Sequence, residues 1–269
     1  MAVINCDYYS LARRGFVSFN AILPVERPPE GHEQASYTNG PYPTLYLLHG
    51  FSGNRNDWIT NTQIVEMASR RGYAVIMPDA RNNFYLDIEE SLEYCGEFIG
   101  RELVDVTRRM FPLSRKREDT VIGGISMGGY GAVRNGLKYA DTFGAILSHS
   151  AALITNEVAH MREGEGNFMA PYAYYRHTFG EPKALLGSDK DPMHLASERL
   201  KDGTAPKLFL ACGSEDFLYA RNCEFHAHLE EIGYAHTWWV TPGVHDYVFW
   251  NASLPASLGW LSGEQETAL

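Results

Sequence analysis

The sequence predicts an α/β fold: a mostly parallel sheet of the eight-stranded type, helices on both faces and a small cap insertion. Short apolar runs alternate with amphipathic helical patterns along the chain, as a sheet covered on both sides requires. A β-branched run, Thr120-Val121-Ile122, leads straight through Gly124-Ile125-Ser126-Met127-Gly128 into a helical pattern. Two later strand patterns each end in a loop carrying an ionisable side chain, Asp216 in one and His245 in the other.

Element by element, Val3 to Ser10 and Gly15 to Leu23 read as an antiparallel hairpin, followed by a Pro- and Gly-rich surface excursion from Pro24 to Pro43. Thr44 to His49, bounded by Pro43 and Gly50, has the unbroken apolar character of a buried parallel strand. A helix over Asp57 to Arg70 and a strand over Tyr73 to Met77 follow. Ile99, Leu103, Val106 and Met110 make one face of a helix that Pro112 ends. Thr120 to Ile125 is the next strand, and Tyr130, Val133 and Leu137 mark the helix leaving it. After a strand at Thr142 to Leu147, the stretch of about 150–204 loses regular alternation and is rich in Tyr, Phe, Met and Gly. It reads as a cap-like insertion in one domain, 1–269, because alternation resumes afterwards. The resumed elements are a strand at Lys207 to Cys212, a helix at Arg221 to Ile232, a strand at Ala235 to Val240 and a last helix from Tyr247.

Composition narrows the function. With 23 Lys+Arg against 33 Asp+Glu the net charge is −10, so nucleic acid and anionic membrane are poor partners. No apolar stretch reaches the 18 or so residues a membrane span needs, and the start lacks a basic n-region followed by an apolar one. Cys6, Cys95, Cys212 and Cys223 are scattered without a CxxC pair, as expected of reduced thiols in a cytoplasmic protein. No metal site is expected, since the ten histidines offer no metal-ligand spacing.

The chemistry is carried by Gly124-Ile125-Ser126-Met127-Gly128, a nucleophile elbow. A Ser on a tight strand-to-helix turn can project its hydroxyl above the sheet only if the residues two before and two after lack a Cβ. A phosphate loop is the competing reading, but no Gly-Lys-Ser/Thr follows and no acid-paired Gly-x-Gly occurs. A serine hydroxyl needs a base to take its proton and a carboxylate to hold that base. Asp216 is preferred to Glu215 as that acid, and it could also cap the following helix. His245 is the base: His226 and His228 fall in a helical pattern, His236 in a strand, and His149 precedes every plausible acid. Oxyanion donors are expected from the backbone of Met127 and of Phe51, the latter in the turn His49-Gly50-Phe51-Ser52-Gly53. Trp58 and His49 are assigned to substrate binding beside them, and the Tyr-rich insertion either lines the pocket or forms a small core of its own.

These segments resemble the esterase D branch of the α/β-hydrolases, specifically the bacterial tributyrin (acetyl) esterases. The likeness runs through Leu47 to Asn54 with Trp58, Ser114 to Glu118, Gly124 to Gly131, Cys212 to Tyr219, and Gly243-Val244-His245 with Trp250. Tyr247 departs from it, standing where such esterases often carry Trp. The resemblance implies a single α/β-hydrolase domain, no cofactor, and hydrolysis of short-chain esters by Ser126, Asp216 and His245. The partners expected are a small-molecule ester and, at most, further copies of the chain. Within the wider family the alternatives are feruloyl or acetyl-xylan esterase and S-formylglutathione hydrolase. A non-catalytic binding protein of the same fold is the distant one.

Overall fold

A computed structural model describes residues 1–26 and 40–263. The outer part of the Pro24 to Pro43 excursion therefore lies outside the described residues. In chain order the sheet strands are β1 (Ala2–Ser10), β2 (Gly15–Leu23), β3 (Thr44–Leu48) and β4 (Ala74–Pro78), with helices α1 (Asp57–Asn61) and α2 (Ile64–Arg71) between the last two. A small hairpin of β5 (Asp87–Ile88) and β6 (Glu93–Tyr94) leads into α3 (Cys95–Glu97), a π-turn at Phe98–Glu102 and α4 (Leu103–Met110). Then come β7 (Thr120–Ile125), α5 (Met127–Lys138) and β8 (Ala145–His149). The insertion holds α6 (Thr155–His160), α7 (Tyr172–Phe179) and α8 (Pro192–Lys201). The chain closes with β9 (Lys207–Gly213), α9 (Tyr219–Ile232), β10 (Thr237–Thr241) and α10 (Tyr247–Ser262).

The main sheet has eight strands in the order β1-β2-β4-β3-β7-β8-β9-β10. β2 pairs antiparallel with both β1 and β4, and every other pairing in it is parallel. This is the α/β-hydrolase fold. Successive residues of β3 serve opposite cores: Tyr46 and Leu48 pack with α4, α5 and α9, while Leu45 and Leu47 pack with α1, α2 and α10. Both faces being covered is why β3, β4, β7 and β8 are apolar without alternation. Cys6, Cys95, Cys212 and Cys223 are all free thiols. No helix among the described residues is long and apolar enough to cross a membrane.

Three expected elements change shape. The helix over Asp57 to Arg70 is two helices, because Thr62 is extended (φ −134°, ψ 170°) and its hydroxyl accepts the Ile64 N–H at 3.2 Å. The strand expected from Thr142 begins at Ala145, since the Thr142 and Phe143 N–H groups turn back onto Tyr139 O at 2.9 and 3.1 Å. The insertion is more regular than its composition suggests. α8, for instance, starts at Pro192 with the Asp191 carboxylate accepting the Met193 N–H at 3.0 Å.

Candidate active site

The parallel register brings the C-terminal ends of β3, β7, β8, β9 and β10 to one edge of the sheet, where Leu48 faces Gly124, Ile125 faces His149, and Gly213 faces Thr241. The loops after β7, β9 and β10 carry Ser126, Asp216 and His245.

Ser126 sits at the start of α5 with φ 55° and ψ −118°, a conformation few side-chain-bearing residues adopt. Its N–H donates to His149 O at 3.0 Å, and its carbonyl accepts from Ala152 N at 2.9 Å and Tyr130 N at 3.1 Å. The glycines around it are steric necessities. A Cβ on Gly124 would lie 2.2 Å from Gly128 O, and one on Gly128 would lie 2.4 Å from Leu48 O.

A continuous hydrogen-bonded chain leads away from the hydroxyl. Ser126 Oγ is 2.9 Å from His245 Nε2, and His245 Nδ1 is 2.8 Å from Asp216 Oδ2 and 3.0 Å from Oδ1. A carboxylate can only accept, so Nδ1 carries the proton, the Nε2 lone pair faces Ser126, and the hydroxyl donates to it. The Asp216 side chain is fully buried and also accepts the Leu218 N–H at 2.8 Å, so it orients the imidazole and caps the approach to α9 together. Glu215 is exposed. Phe217 lies against the imidazole (ring centroids 4.4 Å) and Trp250 meets it edge-on at 5.1 Å.

Ser126 opens into a pocket of about 330 Å³. Phe51, Phe84 and Met127 come from the sheet edge, Ala152, Ile154, Phe168, Met169 and Tyr175 from the insertion, and Phe217 and Leu218 from the loop after β9. The insertion therefore lines the pocket rather than forming a separate core. Glu157, Asn167 and Arg221 supply the polar part of the wall, with Arg221 paired to Glu157 at 3.5 Å. Neither the Phe51 nor the Met127 N–H has a protein acceptor among the described residues.

Two expected substrate-binding residues lie elsewhere. Trp58 is buried between α1 and the sheet, with Leu45, Leu47 and α10, and its indole N–H donates to Leu48 O at 3.2 Å. His49 is also buried. Its Nε2 accepts the Ala80 N–H at 3.1 Å and its Nδ1 donates to Gly50 O at 2.8 Å. Burial holds this imidazole below its ordinary pKa, so the neutral ring acts as a strut for the turn that carries Phe51. From the insertion, Tyr174 braces the same turn, its ring edge-on to Phe51 at 5.8 Å and its hydroxyl donating to Asn82 O at 2.8 Å. Tyr247 packs on Trp250 and does not line the pocket.

Sequence reasoning missed Phe84, Phe217, Glu157 and Arg221 as pocket residues. Phe84 adopts a positive φ (52°) in a stretch without periodicity, and only the neighbouring Asn82-Asn83 hints at a tight turn there. His149, set aside as the base, belongs to the core: its Nδ1 is 2.8 Å from Ser253 Oγ, and burial lowers its pKa to about 3. One group of potential metal ligands occurs among the described residues, His226, Glu230 and His236, and none of them lines the pocket.

The Esterase family model matches residues 27–261. An acetyl esterase of Caldicellulosiruptor saccharolyticus is 41% identical over 263 residues, 97% of this chain and 98% of that protein. Among solved structures, the fluorophosphonate-binding serine hydrolase FphF of Staphylococcus aureus is 29% identical with a TM-score of 0.82, covering 97% of this chain and 98% of that one. The S-formylglutathione hydrolase FrmB of the same organism is 28% identical with a TM-score of 0.80 and the same coverage. With a family match across most of its length and a near-full-length relative at 41% identity, the chain belongs to the esterase family and is a carboxylic ester hydrolase.

Proposed function

We propose that this protein is a serine esterase that cleaves short-chain acyl esters, acetyl to butyryl, through an acyl-enzyme formed on Ser126. The observation that carries the reading is the unbroken chain Ser126 Oγ, His245, Asp216 at the floor of an apolar pocket. As Ser126 Oγ attacks the ester carbonyl carbon, its proton passes to His245 Nε2, and the carbonyl π pair moves onto oxygen. The Phe51 and Met127 N–H groups stabilise that oxyanion. The imidazolium, steadied by Asp216, then protonates the leaving alkoxide as the ester C–O bond breaks. Water, deprotonated by the same nitrogen, releases the acid and restores the serine.

Acyl length follows from the wall. Each methylene that fits against Phe51, Phe84, Met127 and Tyr175 gains about 0.8 kcal/mol, and one that does not fit clashes. A series of p-nitrophenyl esters should give kcat/KM highest between acetyl and butyryl and at least about tenfold lower at octanoyl. In the same panel Ser126→Ala should lose several orders of magnitude in kcat. An optimum at eight or more carbons would overturn the chain-length assignment. S-formylglutathione or a feruloyl ester exceeding the best of the series tenfold would replace it with the corresponding specificity.

A further inference from the structure

His226 and Glu230 stand four residues apart on α9, so they share one face of the helix. The helix stops at Gly233, whose left-handed conformation (φ +74°) turns the chain back, and three residues later His236 enters the edge strand β10. The turn brings three potential ligands together: a ring nitrogen of His226, a ring nitrogen of His236 and a Glu230 carboxylate oxygen all lie within 4.8 Å of one another. None of the three takes part in the pocket or in the Ser126–His245–Asp216 chain.

Both rings are held in the orientation a ligand needs. His236 Nδ1 is 2.7 Å from Tyr234 O, and since a carbonyl only accepts, the proton is on Nδ1 and the Nε2 lone pair faces the cluster. A backbone acceptor on the far nitrogen is the usual support of a metal-binding histidine. His226 is stacked on Trp238 (5.0 Å, 15° between planes), which fixes its ring plane. Its Nδ1 is 2.7 Å from His236 Nε2, so it donates the single proton that occupies the space between the rings. Glu230 Oε1 is 3.8 Å from the same His236 nitrogen and is 68% exposed, free to swing inward.

We propose that His226, Glu230 and His236 bind a first-row divalent metal ion of the zinc type, which clamps the end of α9 to the start of β10. Two imidazole nitrogens and a carboxylate oxygen are the donor set such ions take, with water completing a tetrahedron. Ligand nitrogens around tetrahedral zinc are roughly 3.3 Å apart, so the rings need only part by about half an ångström. The His226 proton moves to its own Nε2, the metal takes the lone pair exposed on Nδ1, and no net proton is released. His236 and His245 lie beyond opposite ends of β10, about 16 Å of strand. The ion therefore stiffens the sheet edge and does not enter the ester chemistry.

The test uses Co2+ as a spectroscopic probe and Zn2+ as a stabiliser, on the full chain freed of metal. The wild-type protein should bind one equivalent of Co2+ with the intense visible absorption of a four-coordinate site, and Zn2+ should raise Tm by a few °C. Glu230→Gln, on an exposed side chain, and His226→Ala should each weaken Co2+ binding by at least about tenfold and abolish the Zn2+ shift in Tm. Both variants should keep wild-type turnover of p-nitrophenyl acetate, which also certifies that they fold. The absence of stoichiometric Co2+ binding to the wild-type protein overturns the proposal. So does binding that survives either substitution.

Discussion

At the residue scale, burial and geometry together separate the two candidate acids. Asp216 is enclosed and meets His245 Nδ1 with both oxygens, while Glu215, one residue earlier, is exposed and its backbone N–H donates to Gly243 O at 3.0 Å. Asp216→Asn keeps the shape but offers an amide N–H to Nδ1, which favours the tautomer with its proton facing Ser126, so kcat should fall by on the order of 10⁴. Glu215→Gln should cost less than about tenfold. Steady-state kinetics on p-nitrophenyl acetate check both, and the reverse ranking would move the acid to Glu215. Both candidates were legible in the sequence because each follows a strand at its C-terminal end. Choosing between them needed the direction each side chain takes from the loop.

At the element scale, the β7–α5 elbow was legible because its constraint is local. Glycines at 124 and 128 are demanded by backbone atoms of the motif itself and of the adjacent strand β3, and no distant packing has to be known. Gly128→Ala drives a Cβ into Leu48 O, which is backbone and cannot swing away. The substitution should cost about 2–3 kcal/mol in urea unfolding and reduce kcat with it. An unfolding midpoint within error of wild type would show that the elbow tolerates the methyl. Trp58 and His49 were read wrongly for the opposite reason. His49 opens the turn after β3 and Trp58 lies on α1 just beyond it, but whether a side chain there turns to the pocket or under the sheet depends on α10 and on Ala80, far away in sequence. The insertion's helices and Phe84 were illegible likewise, their order coming from contacts such as Tyr174 to Asn82 rather than from periodicity. His226, Glu230 and His236 show no metal-ligand spacing in the sequence, because the Gly233 turn that brings them together has no fixed length to search for.

At the scale of the whole molecule, a buried imidazole couples stability to pH. His149 ends β8 and turns its ring to Ser253 of α10, with a pKa lowered to about 3 by burial alone, against about 6.5 in an unfolded chain. Above pH 6.5 the ring is neutral in both states and pH does not matter to it. Below that the unfolded chain binds a proton the folded one refuses, so stability is lost progressively as pH falls toward 3. Between pH 7.5 and 4.5 this group alone should remove about 2–3 kcal/mol. Urea unfolding of wild type and of His149→Gln at both pH values isolates it: the wild type should lose that much more than the variant. Equal losses would mean that His149 is protonated in the folded protein.

The proposed ester chemistry needs one nucleophile activated by one base, and covalent capture reads that directly. A fluorophosphonate probe should modify the wild-type protein once, at Ser126, as peptide mass spectrometry reports. The adduct should be absent in Ser126→Ala and form at least about a thousandfold more slowly in His245→Ala, since the triad acts as a unit. An adduct on any other residue, or one that forms at the wild-type rate without His245, would contradict it.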